Sequence, residues 1–333
     1  MTTEAAVLDT GGARRRILAH PWARFIVRRL GQFVIALFLL VTGVFGMVHA
    51  IPGDPVRNAL GANAAPSIVA AKRHMLGLDQ SLWHQYLTYL DDVVHARFGN
   101  SLITGLSVKN MLGQQLPATI SLAVSAFVVA VLVSIPLGMV IGVLTRDGRR
   151  RGVDVGFGAT TGILSVLPDF VLGVILQFLF AVTLKALPVA GQGGFSSYVL
   201  PVLALATWPA ALLMRIVRVE TQRVLNQEYM RTARAKRLPW RLEYLRHALP
   251  NLLTSTLTIS GLILASLLAG TVLIEKIFAW PGVGAQLVSS TLAKDFPVVQ
   301  ALGLFFGVSV LLINLSVDVV IAVINPQSTI KEG

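Results

Sequence analysis

The chain has 333 residues, of which 54% are hydrophobic and only 13% charged, and its formal net charge is +12. A soluble domain holds about 25% charged residues, so this deficit, with long apolar runs and a mean hydropathy of +0.71, places the chain in the membrane class. The excess positive charge lies in short stretches between apolar segments, the pattern of topology signals rather than of a nucleic-acid-binding face, and the lack of any cysteine excludes disulfides and thiolate metal sites.

The N-terminal segment 1–29 carries Arg14, Arg15, Arg16, Arg24, Arg28 and Arg29 ahead of an apolar run from Leu30 to Ile51. That run is too long for the core of a signal peptide. At 1.5 Å per residue it reaches about 33 Å, the thickness of the hydrocarbon layer, so 30–51 reads as a retained first transmembrane helix. "IPGDP" (Ile51–Pro55) stops this helix and opens a segment, 52–117, in which Ala64–Leu76 and Ser81–His95 read as short helices between the turn signals "GDP" and "GLD". Five further spans follow at Ala118–Leu144, Val155–Leu184, Val199–Val219, Leu252–Ile274 and Val298–Ile324. The expected fold is therefore an all-α integral membrane protein of six transmembrane helices, with a five-helix core over 118–324 and a tail over 325–333. Pro136, Pro168, Pro201 and Pro209 read as kinks within spans. Small residues in "GVFG" and "SGLILASLLAG" permit close helix packing.

Six spans put both termini on one side of the membrane. The N-terminus, 145–152, 215–250 and the tail together hold twenty Lys and Arg, whereas 52–117, 185–198 and 275–297 hold eight. The positive-inside rule then makes the first set cytoplasmic, both termini included, in a multi-pass protein of the cytoplasmic membrane.

The loop 220–250 contains most of the stretch "EYMRTARAKRLPWRLEYLRHALPN" (228–251), and nine Lys and Arg fall in 215–250. Each would cost about 3 kcal/mol at the bilayer centre, so the stretch stays out of lipid. Helical spacing puts Arg223, Gln227, Arg231 and Arg234 on one face and Leu225, Tyr229 and Thr232 on another. Pro239 forces a turn after Leu238. Trp240 then opens a second helix, with Leu242, Leu245 and Leu249 along one side, ending before Pro250; Glu243 is spaced to pair with Arg246 or His247. A solvated loop that only fixes topology would carry the same charge. The helix–proline–helix order favours docking, with the basic face against an acidic-rimmed partner.

Polar groups at membrane depth are costly and normally face a cavity or a partner. Asp169 falls near the middle of the third span beside Pro168. It reads either as a cavity acid facing a cationic group or as a kink residue bonding freed backbone groups. Gln177 is a second cavity candidate. Asp318, one turn after Asn314, reads as a partner for a neighbouring helix, and Arg215 and Arg218 can snorkel from the fourth span. The six histidines show no ligand spacing, so no metal site is expected. Asn314-Leu315-Ser316 matches a glycosylation sequon inside a span and is discarded.

The polar loop resembles the cytoplasmic "EAA" loop of ABC importer permeases, in the form of the dipeptide, oligopeptide and nickel branch. That branch reads R-T-A-R-A-K-G-L, then about a dozen residues, then R-H-A-L; here stand Arg231-Thr232-Ala233-Arg234-Ala235-Lys236-Arg237-Leu238 and Arg246-His247-Ala248-Leu249-Pro250. The branch's glycine is replaced by Arg237, which leaves the turn to Pro239. "IPGDP", "LGLDQSLWHQYLTYL", "ARFGNSL", "LPATISLA", "FAWPGVGAQL", "DFPVVQ" and "NLSVDVVIAVINPQ" extend the resemblance in order over nearly the whole chain.

The resemblance implies the type I ABC importer permease fold. It implies a second homologous permease, two ATP-binding subunits that bind ATP and Mg, an extracytoplasmic binding protein and a peptide substrate. The coupling helix would lie within Arg231–Pro239, with His247, Leu249 and Pro250 completing the loop. Near the outer gate, Trp280, Pro281 and Gly282 make a tight re-entry to the last span, and Gly53 and Asp54 are candidate contacts for the binding protein. The chain has no Walker A sequence and is not expected to be an enzyme or to hold a cofactor. Nickel chelates or another small solute fit the same branch. From another class, an ion-coupled secondary transporter could use Asp169 and Asp318 as coupling groups, although the halves show no evident repeat.

Overall fold

A computed structural model describes residues 21–324 apart from 51, 62, 237, 238 and 240. Its long helices are α1 (Pro21–Ala50), α5 (Val108–Leu144), α8 (Phe195–Leu225), α10 (Leu249–Ile277) and α12 (Phe296–Ile324). Short helices α2 (Pro55–Leu60), α3 (Pro66–Met75) and α4 (Leu82–Val94) follow α1. Helices α6 (Arg151–Val166) and α7 (Asp169–Leu176) lie between α5 and α8, α9 (Glu228–Ala235) between α8 and α10, and α11 (Val283–Leu292) before α12. Among the described residues, β structure is limited to a bridge between Asn100 and Ser107.

Among the described residues, five helices are long and apolar enough to cross a membrane, and the bent pair of α6 with α7 and the π-turn Gln177–Thr183, taken as one span, brings the number to six. The third span is not the proline-kinked helix expected over Val155–Leu184. Its two halves meet at 96°. Leu167 and Pro168 are both extended, with ψ of 118° and 138°, because a residue before proline is driven out of the helical region and proline itself offers no N–H to the ladder. Pro117, Pro136, Pro201 and Pro209 sit inside continuous helices.

The core is built where α5, α8 and α10 meet. Leu122, Ala126 and Ala130 of α5 pack with Leu200, Leu205 and Leu213 of α8 and with Ile263, Leu267 and Ile274 of α10. Glycine lets α5 and α8 approach closely. A Cβ on Gly142 would lie 2.8 Å from Thr221 Cβ and 2.9 Å from the Arg218 carbonyl, so van der Waals contact between backbones replaces any hydrophobic drive inside lipid. Arg29 on α1 and Asp318 on α12 pair at 2.9 Å and join the first and last helices. Asp318 thus faces a neighbouring helix. At the basic end of the bundle, Arg218 pairs with Asp154, and Gln222 donates to Thr145 Oγ1 at 3.0 Å.

Candidate functional site

The 96° break between α6 and α7 opens a cavity of about 310 Å³ whose wall includes Ser165, Pro168, Asp169, Trp208, Ser266 and Gly270. Asp169 is half-buried at the first position of α7, and its Oδ1 accepts the Phe170 N–H at 2.8 Å. A carboxylate there is favoured by the positive end of the helix. Gly270 makes room for it: a Cβ at that position would come within 3.0 Å of Asp169 Oδ2. Gln177 is not among the cavity-lining residues. Its amide nitrogen donates to the carbonyls of Val189 (2.8 Å) and Ile277 (3.3 Å), stapling the turn after α7 to the end of α10.

At the opposite end of α10 from the basic loop, the gate candidates Trp280 and Gly282 surround a residue that the sequence did not single out. Glu275, just beyond the fifth span as read from the sequence, is inside α10 and fully buried. Its Oε1 accepts the Thr119 hydroxyl at 2.6 Å and its Oε2 the Ala285 N–H at 3.0 Å. Thr119 in turn accepts the Val283 N–H at 2.9 Å. The carboxylate therefore caps the N-terminus of α11, where unpaired N–H groups and the helix dipole favour an anion. Trp280 is buried, donates its indole N–H to the Ala118 carbonyl at 3.0 Å, and meets the Tyr198 ring edge-on at 4.6 Å. Gly282 and Gly284 leave the space that the Glu275 carboxylate fills. A glutamate seven and nine positions before these two glycines was the available signal.

Three separated motifs meet near the start of α12. Asp295 is buried; its Oδ2 accepts the Ser101 hydroxyl at 2.5 Å and its Oδ1 the Leu102 N–H at 2.9 Å. Its neighbour Lys294 packs against Gly53, whose φ of +121° would strain any side chain. Asp54 caps α2 through the Val56 N–H at 3.1 Å and pairs with Arg73 at 3.2 Å. "IPGDP", "FGNSL" and "KDFP" are thus one assembly.

The basic loop is a folded hairpin. Helix α8 ends at Leu225, and α9 restarts at Glu228, so Arg223 does not share a helix with Arg231 and Arg234. Met230 and Ala233 turn inward, Met230 onto Leu225 and Ala248. Glu228, Tyr229, Arg231, Thr232, Ala235 and Lys236 face outward. Glu243 does not pair along its own helix. It accepts Arg234 Nε at 2.6 Å across the hairpin, and Arg234 also donates to the Leu225 carbonyl at 3.1 Å. The Pro239 carbonyl accepts from Leu242 (2.9 Å) and Glu243 (3.2 Å), which starts the second arm; Arg237, Leu238 and Trp240 lie outside the described residues. The second arm does not end before Pro250. A π-turn over Leu242–Ala248, containing His247, runs directly into α10, with Leu249 and Pro250 in the first turn.

Residues 134–329 match the family described as "Binding-protein-dependent transport system inner membrane component", and residues 22–123 match its N-terminal companion. The chain is 36% identical over 308 residues, 92% of its length, to the glutathione transport system permease protein GsiC of Escherichia coli K12, 99% of which is covered. The same figures hold for the proteins of that name in Shigella dysenteriae and Salmonella paratyphi A. An inward-facing structure of the MetNI methionine ABC transporter has a chain that superposes with a TM-score of 0.50 at 16% identity, covering 65% of this chain and 96% of that one. The chain therefore belongs to the binding-protein-dependent inner membrane component family and is the multi-pass permease subunit of an ABC importer, the ATPase being a separate subunit.

Proposed function

We propose that this permease imports small peptides, of the di- and oligopeptide or glutathione type, handed over by an extracytoplasmic binding protein. The observation that carries the substrate reading is Asp169, a half-buried carboxylate on the wall of the cavity at the break of the third span. Such a group complements the α-ammonium of a peptide, and the relatives named as glutathione permeases support the same class. A second permease completes the pathway, and α9 seats in a groove on one of two ATPases. Nucleotide closure then moves α8 and α10 together, because the hairpin is continuous with one and tied to the other through Arg234. The hairpin and both termini are cytoplasmic in this reading, which the charge asymmetry supports: twenty Lys and Arg lie on the side of the hairpin against eight on the other.

The test is uptake of labelled glutathione and dipeptides into proteoliposomes holding the chain with its partner permease, ATPases and binding protein. ATP-dependent accumulation, abolished by Thr232→Arg or Ala235→Arg on the outer face of α9, supports the reading. Uptake that proceeds without ATP in those variants would overturn it. Ala233 is not a suitable position, because it is buried inside the hairpin.

A further inference from the structure

Helix α4 divides its circumference among three surroundings. One face packs on α1: the Tyr86 hydroxyl lies 2.8 Å from Thr42 Oγ1, and the Tyr89 hydroxyl donates to the Val41 carbonyl at 3.3 Å. The Phe45 ring sits 5.2 Å from that of Tyr86 and 5.5 Å from that of Tyr89. A second face is polar and exposed, with His84, Thr88 and Asp91 at i, i+4 and i+7. The third is apolar. Trp83, Leu87 and Val94 recur at i, i+4 and i+11 and form one stripe, bordered by Leu90, which packs toward Val41, Val44 and Leu304. Trp83 is 68% exposed, Leu87 46% and Val94 80%.

The level at which α4 is tied to α1 says what covers that stripe. Val41 and Thr42 lie about 12 Å along the helix axis before the end of α1 at Ala50, and thus inside the span Arg24–Ala50. On either side of that level α1 itself exposes Phe38, Leu39 and Met47. The apolar stripe of α4 is therefore continuous in depth with a lipid-facing surface. The boundary of headgroups and acyl chains takes amphipathic helices to a depth of about 5–10 Å, and it favours Trp and Tyr.

We propose that α4 is an interfacial helix seated in the outer leaflet, with Trp83, Leu87 and Val94 among headgroups and upper acyl chains and His84, Thr88 and Asp91 in water. The seat gives the segment between α1 and α5 an attachment to the bilayer besides the one that Ser101 and Asp295 make to α12. The leaflet rests on the external placement of this segment proposed above.

The chain has no native cysteine, so Trp83→Cys, Leu87→Cys, Val94→Cys and Thr88→Cys can each place one spin label on it, in a complete transporter assembled with cysteine-free partner subunits and reconstituted in proteoliposomes. Labels at 83, 87 and 94 should collide freely with oxygen and be shielded several-fold from a water-soluble nickel chelate relative to 88. Equal nickel access at all four positions would mean an aqueous surface. Closure of the stripe to both reagents would mean a protein partner, the second permease or the binding protein. Either result overturns the proposal. A second measurement avoids altered folding: quenching by lipids brominated near the headgroup should lose a component in Trp83→Phe, and no change counts against the proposal. Labelling of Thr88→Cys in intact cells by an impermeant maleimide reports sidedness on its own. Its absence would refute the external placement while leaving the oxygen and nickel pattern intact.

Discussion

Thr119 and Glu275 stand 156 positions apart and share a 2.6 Å hydrogen bond in a site closed to solvent. Through it, one carboxylate holds the end of α10, the start of α11 and the first half of α5 in a single register. Glu275→Ala would leave the Thr119 hydroxyl and the Ala285 N–H buried without that acceptor, at a cost of about 1–3 kcal/mol. The purified complex should unfold at a clearly lower temperature in detergent, with Glu275→Gln intermediate because an amide keeps one acceptor. An unchanged melting temperature in Glu275→Ala would show that the cap is not holding these elements.

The contact of Gly142 with Thr221 and the Arg218 carbonyl predicts an intolerance of size. Gly142→Leu overpacks the α5–α8 crossing and should destabilise by about 1–3 kcal/mol. Gly31→Ala on α1 has nothing within 4 Å of its new methyl. There the gain in helix propensity should leave stability equal or slightly raised. Thermal melts of the two variants side by side distinguish tight packing from a general aversion to change in spans.

Arg234 and Glu243 tie the two arms of the hairpin. Each single alanine variant should cut ATP-driven uptake several-fold while membrane insertion persists. The exchanged pair Arg234→Glu with Glu243→Arg should recover part of the loss. Arg234 is 30% exposed and Glu243 12%, so screening holds the pairwise energy to about 1 kcal/mol. Full additivity in the double-mutant cycle would mean that the pair is not coupling the arms.

Asp169→Asn keeps the shape of the cavity wall and the acceptor for the Phe170 N–H but removes the charge. If Asp169 meets the ammonium of a peptide, the KM for uptake should rise by about tenfold or more, the scale of one charge-assisted hydrogen bond. Assembly and basal ATP hydrolysis should be unaltered. Uptake kinetics indistinguishable from the parent would remove Asp169 from the pathway.

The parts of this protein legible in its sequence are those set by solvent choice along short stretches. A run such as Leu30–Ile51 is long enough to cross hydrocarbon and the seven cations in 220–250 cannot enter it, so span number, order and the polar hairpin follow from local composition. The local rules also carried errors of a consistent kind. Glu243 has allowed partners along its own helix, yet it pairs with Arg234 because the hairpin brings a guanidinium into a half-buried site where it is worth more. Pro168 and Pro136 look alike as sequence, but only one breaks its span.

The sequence by itself determined which segments lie in lipid and which in water, because the cost of burying backbone and charge in hydrocarbon is paid residue by residue. Only the tertiary structure decided the 96° turn at Pro168, the burial of Glu275 at the head of α11 and the joining of Ser101 to Asp295. Those features satisfy polar groups with partners as many as 194 positions away, and a pairing across that distance exists only once the helices between have packed.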